Sequence, residues 1–144
     1  MDIFEAIRTR RSIRAFTREE VSDREIKEIL DAARWAPSAG NIQPWIFVII
    51  RKPEMKRRLA EAALNQHFIY EAPVVIVVCA DQERSGMYYG SRGANLYCIQ
   101  DTAAAIQNIL LSFVCGLKHD FMNDGAIKDD NGEALKICIG MPRK

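Results

Sequence analysis

A chain of 144 residues that is 49% hydrophobic has the size of one ordinary domain and can bury a core without metal or disulfide staples. Lys and Arg number 20 against 19 Asp and Glu, and a formal charge of +1 excludes the overall field of a dedicated nucleic-acid binder, so any basic site must be local. Cys79, Cys98, Cys115 and Cys138 form no CxxC pair, the N-terminal MDIFEAIRTRR lacks the order of a signal peptide, and the apolar run PVVIVVCA is too short to cross a bilayer. The expectation is a single domain over residues 1–144, cytoplasmic, with reduced thiols, no membrane partner and no nucleic-acid partner.

In chain order, Asp2 and Glu5 form a capping-box pattern that predicts a short helix over 3–9 burying Ile3, Phe4 and Ile7. Ser22 and Glu25 open a stronger helix. Its apolar residues Ile26, Ile29, Leu30 and Ala33 keep 3.6-residue spacing until Pro37 forces Ala36 out of helical geometry. The β-branched runs IFVII (46–50) and VVIVVCA (74–80) read as central strands covered on both faces. Between them Pro53 suits a first helical turn, and Met55, Leu59, Ala62 and Ala63 give 53–64 an apolar side. From Tyr97 to Cys115 the residues Ile99, Ala103, Ile106, Leu110 and Phe113 predict a core helix, with Gly116 as its stop. ALKICIGM reads as a last strand. The elements give an α+β chain, with helices against a mainly buried sheet.

Two segments carry polar groups suited to a ligand. In RTRRSIRAF an extended backbone puts Arg10, Ser12 and Arg14 on one face, with Arg11 and Ile13 on the other. Two guanidiniums and a hydroxyl suit a phosphate dianion, because each Arg donates paired N–H bonds. A solvated basic run, or one paired with Glu19 and Glu20, is the competing reading. In WAPSAGNIQPW, Pro37 and Pro44 fix the backbone, Ser38, Ala39 and Gly40 leave room for close approach, and Asn41 and Gln43 share a face if the segment is extended. Each carboxamide donates and accepts, which suits the edge of a flat heterocycle; the competing reading is a loop that satisfies its own backbone between core tryptophans Trp35 and Trp45.

Together, RRSIRAF, AARWAPSAGNIQPW, FVII, EAPVVIVV, DTAAAIQNILL and the closing ICIGMP resemble the nitroreductase family of FMN-dependent oxidoreductases. The resemblance implies a three-layer α/β/α sandwich with a central mixed sheet. It implies FMN contacts from Arg10, Arg11, Ser12 and Arg14 and from Pro37, Ser38, Asn41 and Gln43, with Arg14 the candidate for stabilising the reduced ring. It further implies a homodimer with flavin at the subunit interface, and hydride transfer from NADH or NADPH through the flavin to a nitro compound, quinone or similar acceptor. Residues 113–136 depart from the family pattern, so the chain reads as a short or C-terminally divergent member. Arg143 and Lys144 are candidates to replace phosphate contacts found later in longer relatives.

No metal site is expected. His67 and His119 are isolated, Cys115 and His119 lack a third ligand, and DFMNDGAIKDDN places Met122 and Asn131 at ligand positions of an EF-hand loop where they do not fit. Asn65, Gln66 and His67 match the family too loosely to take roles. Two other classes stay open on the residues alone: a non-catalytic flavin-binding or degenerate paralogue, which binds flavin without turnover or not at all, and a phosphate or nucleic-acid module using only the arginine cluster, which lacks interleaved aromatics.

Overall fold

Helix starts are set locally. The Asp2 carboxylate accepts the Glu5 N–H at 2.8 Å and opens α1 (Ile3–Thr9). Ser22 opens α2 (Asp23–Arg34) with a complete capping box, its own N–H donating to the Glu25 carboxylate at 2.7 Å. The remaining elements are β1 (Trp45–Ile50), α3 (Pro53–Ala62), α4 (His67–Glu71), β2 (Val75–Ala80), α5 (Gln82–Arg92) and α6 (Cys98–Gly116). The computed structural model describes residues 2–16 and 18–116. The expected strand in ALKICIGM, most of the divergent 113–136 stretch, His119 and the Arg143 and Lys144 tail lie outside the described residues.

β1 and β2 pair antiparallel, with Trp45 opposite Ala80 and Ile50 opposite Val75. Alternation along β2 defines the layers. Ile76 and Val78 join Ile26, Ile29 and Ala33 of α2 and Ala105, Ile109 and Phe113 of α6 in one cluster. Val75 and Val77 join Ala60 of α3 and Ile69 of α4 in another. Helices therefore cover both faces of the sheet, the α/β/α arrangement expected. Burying each isoleucine of α2 is worth about 1.5–3 kcal/mol, so this face, more than helix propensity, holds α2 in place.

Four burial expectations need correction. On α1 only Ala6 is buried, while Ile3, Phe4 and Ile7 are 52%, 67% and 53% exposed, because the helix rests on α6 through its small side. β1 is covered less than β2: Ile46, Val48 and Ile49 are exposed, since β2 is its single strand neighbour among the described residues. α3 docks by Lys56 and Ala60, leaving Met55 and Ala62 outside. The buried stripe of α6 is Cys98, Thr102, Ala105, Ile109 and Phe113, with Ile99 and Ala103 turned outward. This helix is rich in small and apolar residues all round, so periodicity alone leaves its docking face ambiguous.

Two helices went unanticipated. Leu64 and Asn65 adopt φ of 61° and 58°, turning the chain from α3 into α4. Asp81 caps α5 by accepting the Arg84 N–H at 2.9 Å, and a π turn over Gly93–Tyr97 joins α5 to α6. At Gly93 a Cβ would strike the Ser85 carbonyl, so only glycine permits this close return. The stretch Gln82–Cys115 has the length and composition to cross a membrane, yet Ala105, Ile109 and Phe113 pack it against the sheet as a core helix.

Candidate functional site

The WAPSAGNIQPW loop lies at the end of the sheet where β1 begins and β2 stops, and the Asp81 N–H donates to the Pro44 carbonyl at 2.9 Å across that end. Pro44 is buried and Pro37 exposed. Trp45 joins the core, whereas Trp35 is 87% exposed, so one tryptophan of the pair is a core residue and the other is not.

The loop is not extended as expected. Ser38 is extended (φ −142°, ψ 154°), Ala39–Asn41 forms a 3-10 turn, and Gly40, Asn41 and Gln43 hold φ of 56°, 54° and 54°. Asn tolerates the left-handed region; Gln rarely enters it, and such outliers persist where surrounding contacts over-determine the backbone. Those contacts are present. The Gln43 N–H donates to Ser38 Oγ at 3.0 Å, and the Ala39 N–H donates to Asp101 Oδ1 at 3.1 Å. Asn108 Nδ2 donates to the Ala32 carbonyl at 3.1 Å, tying α6 to the end of α2 just ahead of the loop.

Asn41 and Gln43 still meet, by a turn instead of by alternation: Gln43 Nε2 donates to Asn41 Oδ1 at 3.1 Å. This pairing leaves Asn41 Nδ2 as a donor and Gln43 Oε1 as an acceptor with no bond among the described residues. Over the loop stands Tyr89, whose hydroxyl would lie 2.5 Å from a Cβ at Gly40, and whose ring meets Tyr97 edge-on with centroids 5.3 Å apart.

The arginine segment follows α1 as irregular chain. Arg11 turns back to donate to the Arg8 and Arg10 carbonyls at 2.7 and 2.9 Å, capping the C-terminus of α1. The side chains of Arg10, Ser12 and Arg14 make no hydrogen bond among the described residues. Arg14 lies over the Phe68 ring, 5.9 Å from its centroid, and Phe16 packs beside the same ring at 6.4 Å. Phe16 and Phe68 belong to the cluster containing Val75 and Ile50, at the far end of the ladder from Trp45 and Ala80. Five strand steps separate those ends, roughly 17 Å at the usual rise. Within one chain the structure thus brings Ser38, Asn41 and Gln43 together but does not bring Arg14 to them.

Asp101 and Tyr89 are site neighbours that the sequence reading passed over. Asp101 had a signal, as the single charged residue of α6; Tyr89 had none, because α5 itself was not recognised. Among the described residues no group of three His, Cys, Asp or Glu side chains is placed to hold a metal ion.

The sequence profile described as the Nitroreductase family matches residues 7–67. A protein of Archaeoglobus fulgidus, whose name places it with the NADH dehydrogenases and NAD(P)H nitroreductases, is 37% identical over 142 residues, covering 94% of this chain and 75% of its own length. The solved structure of Bacillus megaterium NfrA2 superposes with a TM-score of 0.73 at 26% identity, over 79% of this chain and 51% of that one. The NADPH:FMN oxidoreductase of Vibrio harveyi, solved with NAD+, gives a TM-score of 0.69 at 27% identity, over 78% of this chain and 51% of its own. The chain therefore spans about half the length of each of these two solved relatives.

Proposed function

We propose, from the premise that this chain belongs to the nitroreductase family, that it is an FMN-dependent oxidoreductase using NADH or NADPH to reduce a nitro compound, quinone or similar acceptor. The observation that carries this reading is the Asn41–Gln43 pair, held in left-handed backbone with one donor and one acceptor left over. A flavin ring presents alternating N–H and C=O groups along its pyrimidine edge, and such a pair complements it. Arg10 and Ser12 have uncommitted donors suited to the phosphate and Arg14 a guanidinium available to the ring, while Arg11 secures the helix end from which they leave. The residues therefore fit FMN.

FMN, if held by these residues, would supply the redox chemistry that links a nicotinamide donor to the acceptor. The protein's part is to bind, orient and tune. Asn41 Nδ2 and Gln43 Oε1 would hold the edge of the ring, and the Arg14 guanidinium would offset negative charge on it. Pro37 and Ser38 set the loop's entry, and Ser38 Oγ, accepting from Gln43, fixes the height of the carboxamide.

The assembly proposed is a homodimer. Two observations support it: Arg14 and Gln43 lie toward opposite ends of the β1–β2 ladder in one chain, and α1 presents Ile3, Phe4 and Ile7 to the outside. A second copy would bring one chain's arginine segment to the other chain's loop and cover the apolar stripe. The test is FMN titration of the purified protein combined with sedimentation. Binding by a dimer supports the reading; a flavin-loaded monomer contradicts the assembly, and no flavin binding moves the non-catalytic paralogue to first place.

A further inference from the structure

The geometry points to Asp101 as the positioning residue of the flavin-reading loop, an inference that rests on the FMN reading above. A 3-10 turn that opens at Ala39 leaves its first N–H without an intrahelical partner, and a side chain at the N-cap ordinarily accepts from the second or third N–H of a turn, not from this one. Here Ser38 holds that position, yet makes no such bond, because its hydroxyl accepts the Gln43 N–H instead. The vacancy is filled from 62 positions along the chain, where Asp101, in the first turn of α6, accepts the Ala39 N–H through Oδ1 at 3.1 Å. Asp101 is 7% exposed, and its Oδ2 is buried with no hydrogen-bond partner among the described residues.

A buried carboxylate with an unpartnered oxygen is costly, and α6 would pack more favourably with an apolar residue there. What the carboxylate does in return is fix the loop. Gly40, Asn41 and Gln43 sit at positive φ on either side of Ile42 at φ −73°, and non-glycine residues stay in that region only where surrounding contacts hold them. Ser38 holds the Gln43 end, and Asp101 holds the Ala39 end against the long core helix. With both bonds in place, Asn41 Nδ2 and Gln43 Oε1 keep a fixed separation; with the Asp101 bond lost, the turn can unwind and the pair no longer presents one edge to the ring.

The experiment compares Asp101→Ala, Asp101→Asn and Ala39→Pro with the wild-type chain. Asn keeps an acceptor for the Ala39 N–H. Pro removes that N–H without touching Asp101, and the extended Ser38 ahead of it is compatible with a following proline. Two readouts are taken: FMN affinity by fluorescence quenching, and amide exchange of residues 38–43 in flavin-free protein. The expected result is at least tenfold weaker FMN binding and faster loop exchange in Asp101→Ala and Ala39→Pro, with Asp101→Asn within about threefold of wild type. The inference is overturned if Asp101→Ala or Ala39→Pro binds FMN as tightly as wild type, or if a folded Asp101→Asn is no better than Asp101→Ala. Should Asp101→Ala fail to fold, Ala39→Pro and Asp101→Asn decide the matter. A wild-type chain that takes up no FMN would overturn the parent reading before any variant is made, and this inference with it.

Discussion

Gln43 donates its side-chain N–H to Asn41 Oδ1 while both residues hold φ of 54°, so two carboxamides meet on a backbone that neither residue type favours equally. Left-handed geometry costs a residue with a Cβ about 1–2 kcal/mol, and Gln43 carries that cost without the local hydrogen bonding that eases it for Asn. Gln43→Gly is expected to be at least as stable as wild type and Gln43→Ala less stable than Gln43→Gly, while both lose FMN affinity by about tenfold or more. Urea denaturation beside flavin titration checks both halves; a Gln43→Gly variant that keeps full affinity would remove the carboxamide from the site.

Gly40 is constrained twice, by its φ of 56° and by the Tyr89 hydroxyl where a Cβ would stand. Gly40→Ala should destabilise the protein by about 1–3 kcal/mol through strain and overpacking. Adding Tyr89→Phe removes the obstructing oxygen and should restore part of that loss but not all, since the backbone strain stays. A thermal melt of the single and double variants reads this directly, and no recovery in the double would show that Tyr89 does not press on Gly40.

Lys56 makes a pH-dependent contribution. The residue is 8% exposed, its ammonium donates to the Ala72 carbonyl at 2.6 Å, and desolvation lowers its pKa from 10.5, with Tyr70 opposing. The unfolded chain therefore still holds a proton in an alkaline window just beneath 10.5 where the folded chain has released it, and stability gains a positive slope with pH there. Lys56→Met should lack that slope. Urea midpoints of both proteins measured up to 10.5 should show wild type gaining on the variant as pH rises, and parallel curves would contradict the assignment.

The cysteines should differ in reactivity. Cys98 is fully buried, burial pushes its thiol pKa up, and its Sγ donates to the Ala94 carbonyl at 3.1 Å; Cys115 is exposed. Under native conditions a thiol reagent should modify Cys115 promptly and Cys98 only on unfolding. Peptide mapping that finds Cys98 labelled first would refute the burial of α6's first turn.

What was legible in the sequence was what local chemistry decides. Ser22 with Glu25 fixed the start of α2, Pro37 its end, and the β-branched runs gave both strands to within a residue. Asp81 was an equally good cap, but the glycines and tyrosines after it gave no apolar period, and α5 was passed over. Which face a helix buries depends on its neighbours: Ile3, Phe4 and Ile7 have the spacing of a core stripe, yet the helix docks by Ala6. At the site, the residue types of RRSIR and PSAGNIQP carried the chemistry, but their geometry did not follow. Gln43 at positive φ is a tertiary outcome, held by Ser38 and next to a turn held by Asp101, and no pattern in the segment announces it.

The most direct test of the account is the visible spectrum of the purified chain after incubation with excess FMN and desalting. The account predicts a stoichiometric, protein-perturbed flavin spectrum that persists through the column. Complete loss of flavin to the wash would contradict it, and would mean that the paired carboxamides at Asn41 and Gln43 serve the loop alone.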